Sequence, residues 1–379
     1  MTSGRRVIEN LVFGWRTAIL VVLNIQLLLA AGYLLLRTVD PRADRLLAAL
    51  ILVVIGILTP HMIGFAGFYD AFPWLSFAPF ANEFLIGPLI AGYLYALTSG
   101  ALGRIFWLSL IPAILVFCYE LYWFAQPLEV RWEWAGGFHA DWFVPVISTL
   151  ETLSTIIGFS LALWFAWRYR AWLFRSISTS AEYDLRGIGL VLVAAALGIA
   201  AAVMLELVQF AFGPLSYMGE YPYYLALGFA VQALAIAAIL QPGNPFPKMR
   251  AAGALDATAA TADEAEPDWV AIGQELAMEI KEKAWFEEPR LSLSQVAQRM
   301  RLSETIISRA INLGLGTNFN QLINTYRIDV VKKALVESDD DVLAIALDAG
   351  FNSKATFNRV FKEIVRETPR QYRSRLRRG

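Results

Sequence analysis

The first two-thirds of the chain is built of long apolar runs with few polar interruptions. Seven stretches, residues 17–36, 43–65, 81–99, 102–124, 143–167, 185–212 and 221–240, match the length of about 20 apolar residues that a helix needs to cross a bilayer. Pro88, Pro112 and Pro145 fall inside them, which membrane helices tolerate because neighbouring groups re-satisfy the freed backbone. The first run follows Arg5 and Arg6 as a signal peptide would. It is long for one and no small-x-small cleavage site follows, so it is expected to be retained. After Gln241 the pattern changes. Three prolines within 242–247 stop the last run, and residues 251–266, rich in Ala, Thr, Asp and Glu, have no apolar period. That composition predicts a flexible tether. From residue 268 onward the apolar positions recur at helical spacing. The expected organisation is therefore an all-α chain: a seven-helix transmembrane bundle over 1–241, serving as sensor or anchor, a linker over 242–267, and a helical domain over 268–379.

In that last domain, residues 269–285 space Val270, Ile272, Leu276 and Ile280 as a helix would, with Pro289 as its stop. Ser294 is the expected N-cap of a helix over 295–300 that turns Val296, Ala297 and Met300 toward a core. A tight turn at Arg301 and Leu302 follows, and Ser303 caps a helix over 304–313. Two short helices so closely joined predict a helix-turn-helix. Its second helix would direct Glu304, Thr305, Ser308, Arg309 and Asn312 outward, with Ile307, Ala310 and Ile311 inward. The arrangement recurs: Asp341 starts 342–348, Gly350 supplies a left-handed turn residue, and Ser353 caps 354–365. There Phe357, Val360 and Phe361 form the buried stripe, and Lys354, Asn358, Arg359 and Lys362 stay exposed. Between the units, residues 319–337 predict a helical rod of about 28 Å. That separation suits two recognition helices in successive major grooves, roughly 34 Å apart.

Specific residues within this pattern carry a resemblance. Tyr326-Arg327-Ile328, the run from Ala344 through Ser353, Phe357-Asn358-Arg359-Val360-Phe361-Lys362, and Thr368-Pro369 with Gln371-Tyr372-Arg373 resemble the AraC/XylS-type DNA-binding domain. The resemblance implies a double helix-turn-helix that binds double-stranded DNA as a homodimer on paired half-sites. Base contacts would fall to Glu304, Thr305, Ser308, Arg309, Lys354, Asn358 and Arg359. Two positions depart from the family pattern: Arg301 and Arg366 stand where it usually has glycine. The apolar front does not resemble the family's usual sugar-binding partner domain; the chain looks like the membrane-fused members.

Composition supports two environments. Hydrophobic residues make up 57% of the chain and the mean hydropathy is +0.49, high for a soluble protein of this size. The net charge of −1 conceals an asymmetry: residues 1–241 hold 12 Arg and no Lys, and the other 20 of the 32 basic residues follow. From Ser353 to Gly379, nine Lys and Arg stand against Glu363 and Glu367, a net of +7, suited to phosphates; Arg373 belongs to this set. With the C-terminus inside, the loops facing the cytoplasm carry eight Arg, including Arg37, Arg42 and Arg104. Arg5, Arg6 and Arg131 fall outside. That bias predicts the inner membrane of a bacterium, with a periplasmic N-terminus and a cytoplasmic C-terminus. Trp74, Trp123, Trp132, Trp134 and Trp142 would form the outer aromatic belt.

Polar side chains within the runs cost free energy and invite a functional reading. His61, Glu83, Glu120, Glu151, Glu206 and Gln209 map to the same third of their helices. One reading is a pocket for a cation, proton or small polar ligand, with His61, Glu151, Glu206 and Gln209 sensing it. The other is interfacial carboxylates and interhelical hydrogen bonds, which suits Glu83 and Glu120 best. Cys118 is the only cysteine and the two histidines lie far apart, so neither a metal site nor a cofactor is expected. No phosphate loop, nucleophile elbow or kinase motif occurs. The expected function is a membrane-embedded transcription regulator, not an enzyme, responding to an envelope or membrane signal. The alternatives are a transporter or membrane enzyme with a regulatory DNA-binding domain, and a plain membrane anchor.

Overall fold

A computed structural model describes residues 11–80, 82–100, 102–176, 186–213, 215–240, 248–249 and 267–376, except for a few side chains within helices, Glu206 among them. The regular structure of these residues is helical. The chain divides into two compact units, one of residues 1–167 and 185–248, the other of 168–184 and 249–379. Most of the expected tether, residues 242–247 and 250–266, lies outside the described residues.

The first unit contains α1 (Trp15–Leu36), α2 (Pro41–Phe65), α3 (Ile86–Ser99), α4 (Ile111–Phe124), α5 (Val144–Ser176) as far as residue 167, α6 (Arg186–Phe212) and α7 (Tyr221–Ile239), with short turns of helix between some of them. Six apolar stretches, among them α1, α2, α7 and Arg104–Phe124, are long and apolar enough to cross a membrane. The run expected over 81–99 is shorter. It forms a 3-10 turn, Glu83–Leu85, followed by the 14 residues of α3, about 21 Å of α-helix. α1, α2 and α7 pack through Leu20, Leu23 and Leu27, through Leu47, Ile51 and Leu58, and through Leu227, Val231 and Leu234. Gly228 permits the approach of α7 to α1, since a Cβ there would lie 2.2 Å from Leu23 Cδ2. α3 meets α5 through glycines on both sides: a Cβ on Gly158 would stand 2.2 Å from the Gly87 carbonyl oxygen, and one on Gly87 equally close to that of Ser154. Such small-residue contacts let helix backbones approach in packed apolar surroundings.

Cations satisfy helix ends at one side of this unit. Arg37 Nη1 donates to the Ala238 carbonyl at 2.8 Å and lies 3.8 Å from buried Asp44. Arg42 donates to the Gly100 carbonyl at 3.2 Å. Lys248, the first lysine of the chain, pairs with Asp40 and donates to the carbonyls of Ala96 and Leu97 at 2.9 and 2.8 Å. The last carbonyls of a helix lack intrahelical partners and carry the negative end of its dipole. Arg37 and Lys248 therefore fasten the ends of α7 and α3.

The second unit contains α8 (Trp269–Glu282), α9 (Leu293–Met300), α10 (Glu304–Arg309), α11 (Phe319–Glu337), α12 (Val342–Asp348), α13 (Lys354–Val365) and α14 (Pro369–Leu376). It has two apolar cores. Leu276 and Ile280 of α8, Val296 and Ala297 of α9, Ile307, Ile311 and the first turns of α11 form the first. Ile328, Val331 and Leu335 of α11, Ile345, Phe351, Phe357, Val360 and Phe361 form the second. α11 therefore belongs to both.

Three local expectations are corrected. The N-cap of α9 is Ser292, not Ser294: Ser292 accepts from the Gln295 backbone N–H while the Gln295 side chain accepts from the Ser292 N–H. This reciprocal arrangement satisfies two donors, whereas Ser294 already lies inside the helix. Val270 is half-exposed instead of buried, because Gly273, Leu276 and Ile280 form the inward stripe of α8. That helix also stops at Glu282, ahead of Pro289, with Ala284 in a left-handed conformation at φ 50°.

Candidate functional site

Side-chain caps set both helix pairs. Ser303 Oγ accepts from the Ile306 N–H, Asp341 from the Leu343 N–H, and Ser353 Oγ from the Thr356 N–H. Each fixes where its helix begins. The turns need left-handed residues. Gly350 supplies one at φ 92°, and Arg301 adopts the same region at φ 55°. Arg366, the other position where the resemblance called for glycine, is left-handed too, at φ 66°.

On the first pair, Arg309 and Asn312 are exposed, and Glu304, Thr305 and Ser308 are half-buried. The Asn312 side chain donates to Ser308 Oγ at 3.2 Å. The Arg309 guanidinium lies 5.9 Å from the Trp269 ring centre, a cation–π contact. On α13 of the second pair, Lys354, Asn358, Arg359 and Lys362 form one exposed stripe. Arg359 donates to Glu363 at 3.1 Å, an exposed pair one turn apart. The second pair thus presents three cations on its outward helix and the first presents one. Arg373 stands apart. It is half-buried and donates to the Asp340 carbonyl at 2.7 Å, tying α14 to the segment ahead of α12.

One residue central to this geometry has no role that the sequence pattern alone reveals. Arg327 of α11 is 0% exposed. Its Nε donates to the Phe286 carbonyl at 2.6 Å and its Nη2 to the Glu288 carbonyl at 2.8 Å. Its guanidinium lies 5.7 Å from the Phe351 ring centre. Phe286 belongs to the first core and Phe351 to the second, so one side chain bridges the two. Gly350 completes the join, since a Cβ there would come within 2.6 Å of the Glu287 carbonyl oxygen. Arg299 braces the same segment through both oxygens of Glu288, at 2.8 and 2.7 Å.

The four candidate sensing residues of the first unit separate. His61 of α2 is buried, stacked on Tyr217 at 4.8 Å and tilted over Tyr224 at 3.6 Å between ring centres. Its Nε2 lies 3.6 Å from a Glu220 carboxylate oxygen, and Gln209 donates to the other at 3.1 Å. His61 and Gln209 therefore meet through Glu220, which sequence reasoning passed over because it sits just ahead of α7 and outside any apolar run. Glu151 of α5 instead lines a cavity together with Glu83, a residue whose place in the sequence suited an interfacial role. Glu120 is not among the residues lining it. The Glu206 side chain lies outside the described residues. Among the described residues no group of three His, Cys, Asp or Glu is placed to hold a metal ion.

Residues 296–375 match a family model described as a helix-turn-helix domain. An uncharacterized HTH-type transcriptional regulator of Staphylococcus aureus strain COL is 40% identical over 83 residues, which are 22% of this chain and 11% of that protein. The uncharacterized HTH-type transcriptional regulator YtdP of Bacillus subtilis strain 168 is 29% identical over 90 residues, 24% of this chain and 12% of that one. The matched part thus spans about a tenth of the length of these curated relatives. A solved protein of unknown function from Listeria innocua aligns over 27% of this chain and 93% of its own, at 28% identity and a TM-score of 0.25.

Proposed function

We propose, from an AraC-type helix-turn-helix domain at the C-terminal end joined to a unit of apolar helices, that this chain is a membrane-embedded, one-component transcription regulator. The observation that carries the reading is the contrast between the two outer surfaces. In the first unit, helices that bury leucine on one side also bare it on the other: Leu29 is 70% and Leu36 84% exposed on α1, and Phe210 is 92% exposed on α6. Apolar surface of that extent has a large free-energy cost in water and almost none in lipid. In the second unit, the exposed helix α13 carries Lys354, Arg359 and Lys362 above a closed core, the surface that suits a phosphate backbone.

In this reading the apolar helices lie in the inner membrane of a bacterium, with the N-terminus periplasmic and residues 268–379 in the cytoplasm. The arginine bias supports the orientation. The regulator binds double-stranded DNA as a homodimer. α10 and α13 enter successive major grooves, Arg309 and Arg359 read base edges, and Lys354 and Lys362 hold phosphates. An envelope or membrane signal received by the first unit changes that binding. A reporter fused after Gly379 tests the placement: an enzyme active only in the cytoplasm is expected to work there, and one active only in the periplasm is not. The opposite result overturns the proposal. Mapping bound DNA in cells tests the second half, with discrete chromosomal sites expected.

A further inference from the structure

His61, near the end of α2, is 8% exposed, and neither of its ring nitrogens has a hydrogen-bond partner among the described residues. Burying polar atoms in that state costs free energy. Groups from three elements enclose the ring. Tyr217, between α6 and α7, lies parallel to it with 6° between the planes. Tyr224 of α7 covers it at 3.6 Å between ring centres. Glu220, just ahead of α7, holds one carboxylate oxygen 3.6 Å from Nε2, and Gln209 of α6 donates to the other oxygen at 3.1 Å. Residues 215–220 are themselves seated on α2. The Tyr217 hydroxyl donates to the Pro60 carbonyl at 2.9 Å, and Gly64 makes room for it, since a Cβ there would strike that hydroxyl. The other titratable groups around the ring are tyrosines. Tyr69 of the short helix Phe68–Ala71 lies beside Gly64, and Asp70 of that helix is exposed. Tyr221 has the Arg16 guanidinium 5.9 Å from its ring centre, and Glu83 acts on Tyr224 from ahead of α3. No carboxylate but Glu220 pairs with His61 among the described residues.

The chemistry of these surroundings selects the ligand. A neutral imidazole carries one N–H and one lone pair, and 3.6 Å is too long for a hydrogen bond to Glu220. An imidazolium carries two N–H donors and a positive charge. Where water is largely excluded, opposite charges attract far more strongly than in bulk solvent, and a charge-assisted bond shortens to about 2.7–2.9 Å. The faces of Tyr217 and Tyr224 favour a cation as well. Histidine is also the side chain whose charge ordinarily changes in the physiological pH range. We propose that His61 is a proton-binding site whose protonation closes an ion pair with Glu220, fastening residues 215–220 and the start of α7 to α2 in response to acidity. The pair forms in acid and is lost as pH rises and the imidazole gives up its proton. Gln209 grips the second oxygen of Glu220, so α6 is drawn into the same contact. This rests on the reading of the first unit as the part that receives a signal, with residues 215–220 at its periplasmic side. α7 runs from the pair to Ile239, just ahead of the linker.

The test uses the full chain in non-ionic detergent at about pH 5.5 and about pH 7.5, on either side of an ordinary imidazole's midpoint. The chain has two histidines, so imidazole-nitrogen magnetic resonance reports His61 directly, and His61→Gln identifies its signals. His61 is expected to be an imidazolium at the lower pH and neutral at the higher. Amide hydrogen exchange over residues 215–224, corrected for the intrinsic effect of pH, is expected to be about tenfold slower at the lower pH, the effect of one charge-assisted hydrogen bond. His61→Gln and Glu220→Gln should each remove that difference while helicity is retained. A His61 that stays neutral at the lower pH overturns the proposal, and that result requires only the wild-type signals. A pH difference in exchange that survives in either variant overturns it too. Gel shifts at both pH values, run beside His61→Gln, separate the two readings. Slowed exchange with the same DNA affinity in wild type and variant upholds the proton site and refutes its part in signalling. Failure of the full chain to bind DNA at either pH counts against the regulator and leaves the proton site standing.

Discussion

Arginine does four different jobs in the second unit, and burial separates them. Arg327 is sealed between the two cores and spends its fork on backbone carbonyls. Replacing it by Met would strand those carbonyls and break the bridge, so a loss of about 2–4 kcal/mol is expected. Lys should restore little, because an ammonium lacks the planar pair of donors. Thermal unfolding of a fragment over 267–379 checks both variants. Arg301 and Arg366 serve as left-handed helix stops, a conformation that costs a side chain roughly 1–2 kcal/mol relative to glycine. Arg301→Gly is therefore expected to raise stability by about 1 kcal/mol, measured as a higher denaturant midpoint with an unchanged slope. Arg359 is exposed on the helix that would face DNA. Arg359→Ala should relax sequence preference in gel shifts by about 1–3 kcal/mol of base discrimination. Arg373→Ala should weaken binding evenly across sequences and also lower stability, because Arg373 holds the Asp340 carbonyl.

Helices in the second unit are set by their caps and by what they share. α10 and α13 are short, 6 and 12 residues, and isolated helices of that length are marginal in water. Ser303 and Ser353 fix their starts, and the cores beneath supply the stability. α8 has a comparable structural importance although it precedes the family match at residue 296. Leu276 and Ile280 are fully buried in the first core, and a Cβ on Gly273 would sit 2.7 Å from the Ala310 carbonyl oxygen. A fragment starting at 293 should consequently expose that core and melt broadly. One starting at 267 should unfold cooperatively and bind DNA. Circular dichroism melts of the two fragments decide it, and two equal cooperative transitions would refute the role given to α8.

Across the whole chain, the long-range organisation follows from solvent preference. Apolar runs of about 20 residues predict long helices, so the front unit was legible as a set of apolar helices, with six stretches of spanning length among the described residues where seven were expected and the run over 81–99 falling short. The helix-turn-helix pairs were equally legible. Their periodicity, caps and turn residues are local, and the limits found for α11, α12 and α13 coincide with those expected. Even the displaced cap at Ser292 follows a local rule, a serine three residues before glutamine, that the sequence displays.

The remaining features depended on pairs of residues far apart in the chain. The sequence alone determined which stretches are greasy, which helices are amphipathic, and that Arg301 and Arg366 occupy positions suited to glycine. It could not indicate that Arg327 reaches Phe286, that His61 and Gln209 converge on Glu220, or that Glu83 joins Glu151 at one cavity. Periodicity reports the face of a helix that turns inward and carries no information about the partner it meets there. Packing assigned those partners, because close approach at Gly87, Gly158 and Gly350 brings particular backbones together and leaves the small residues of α6 lining open space.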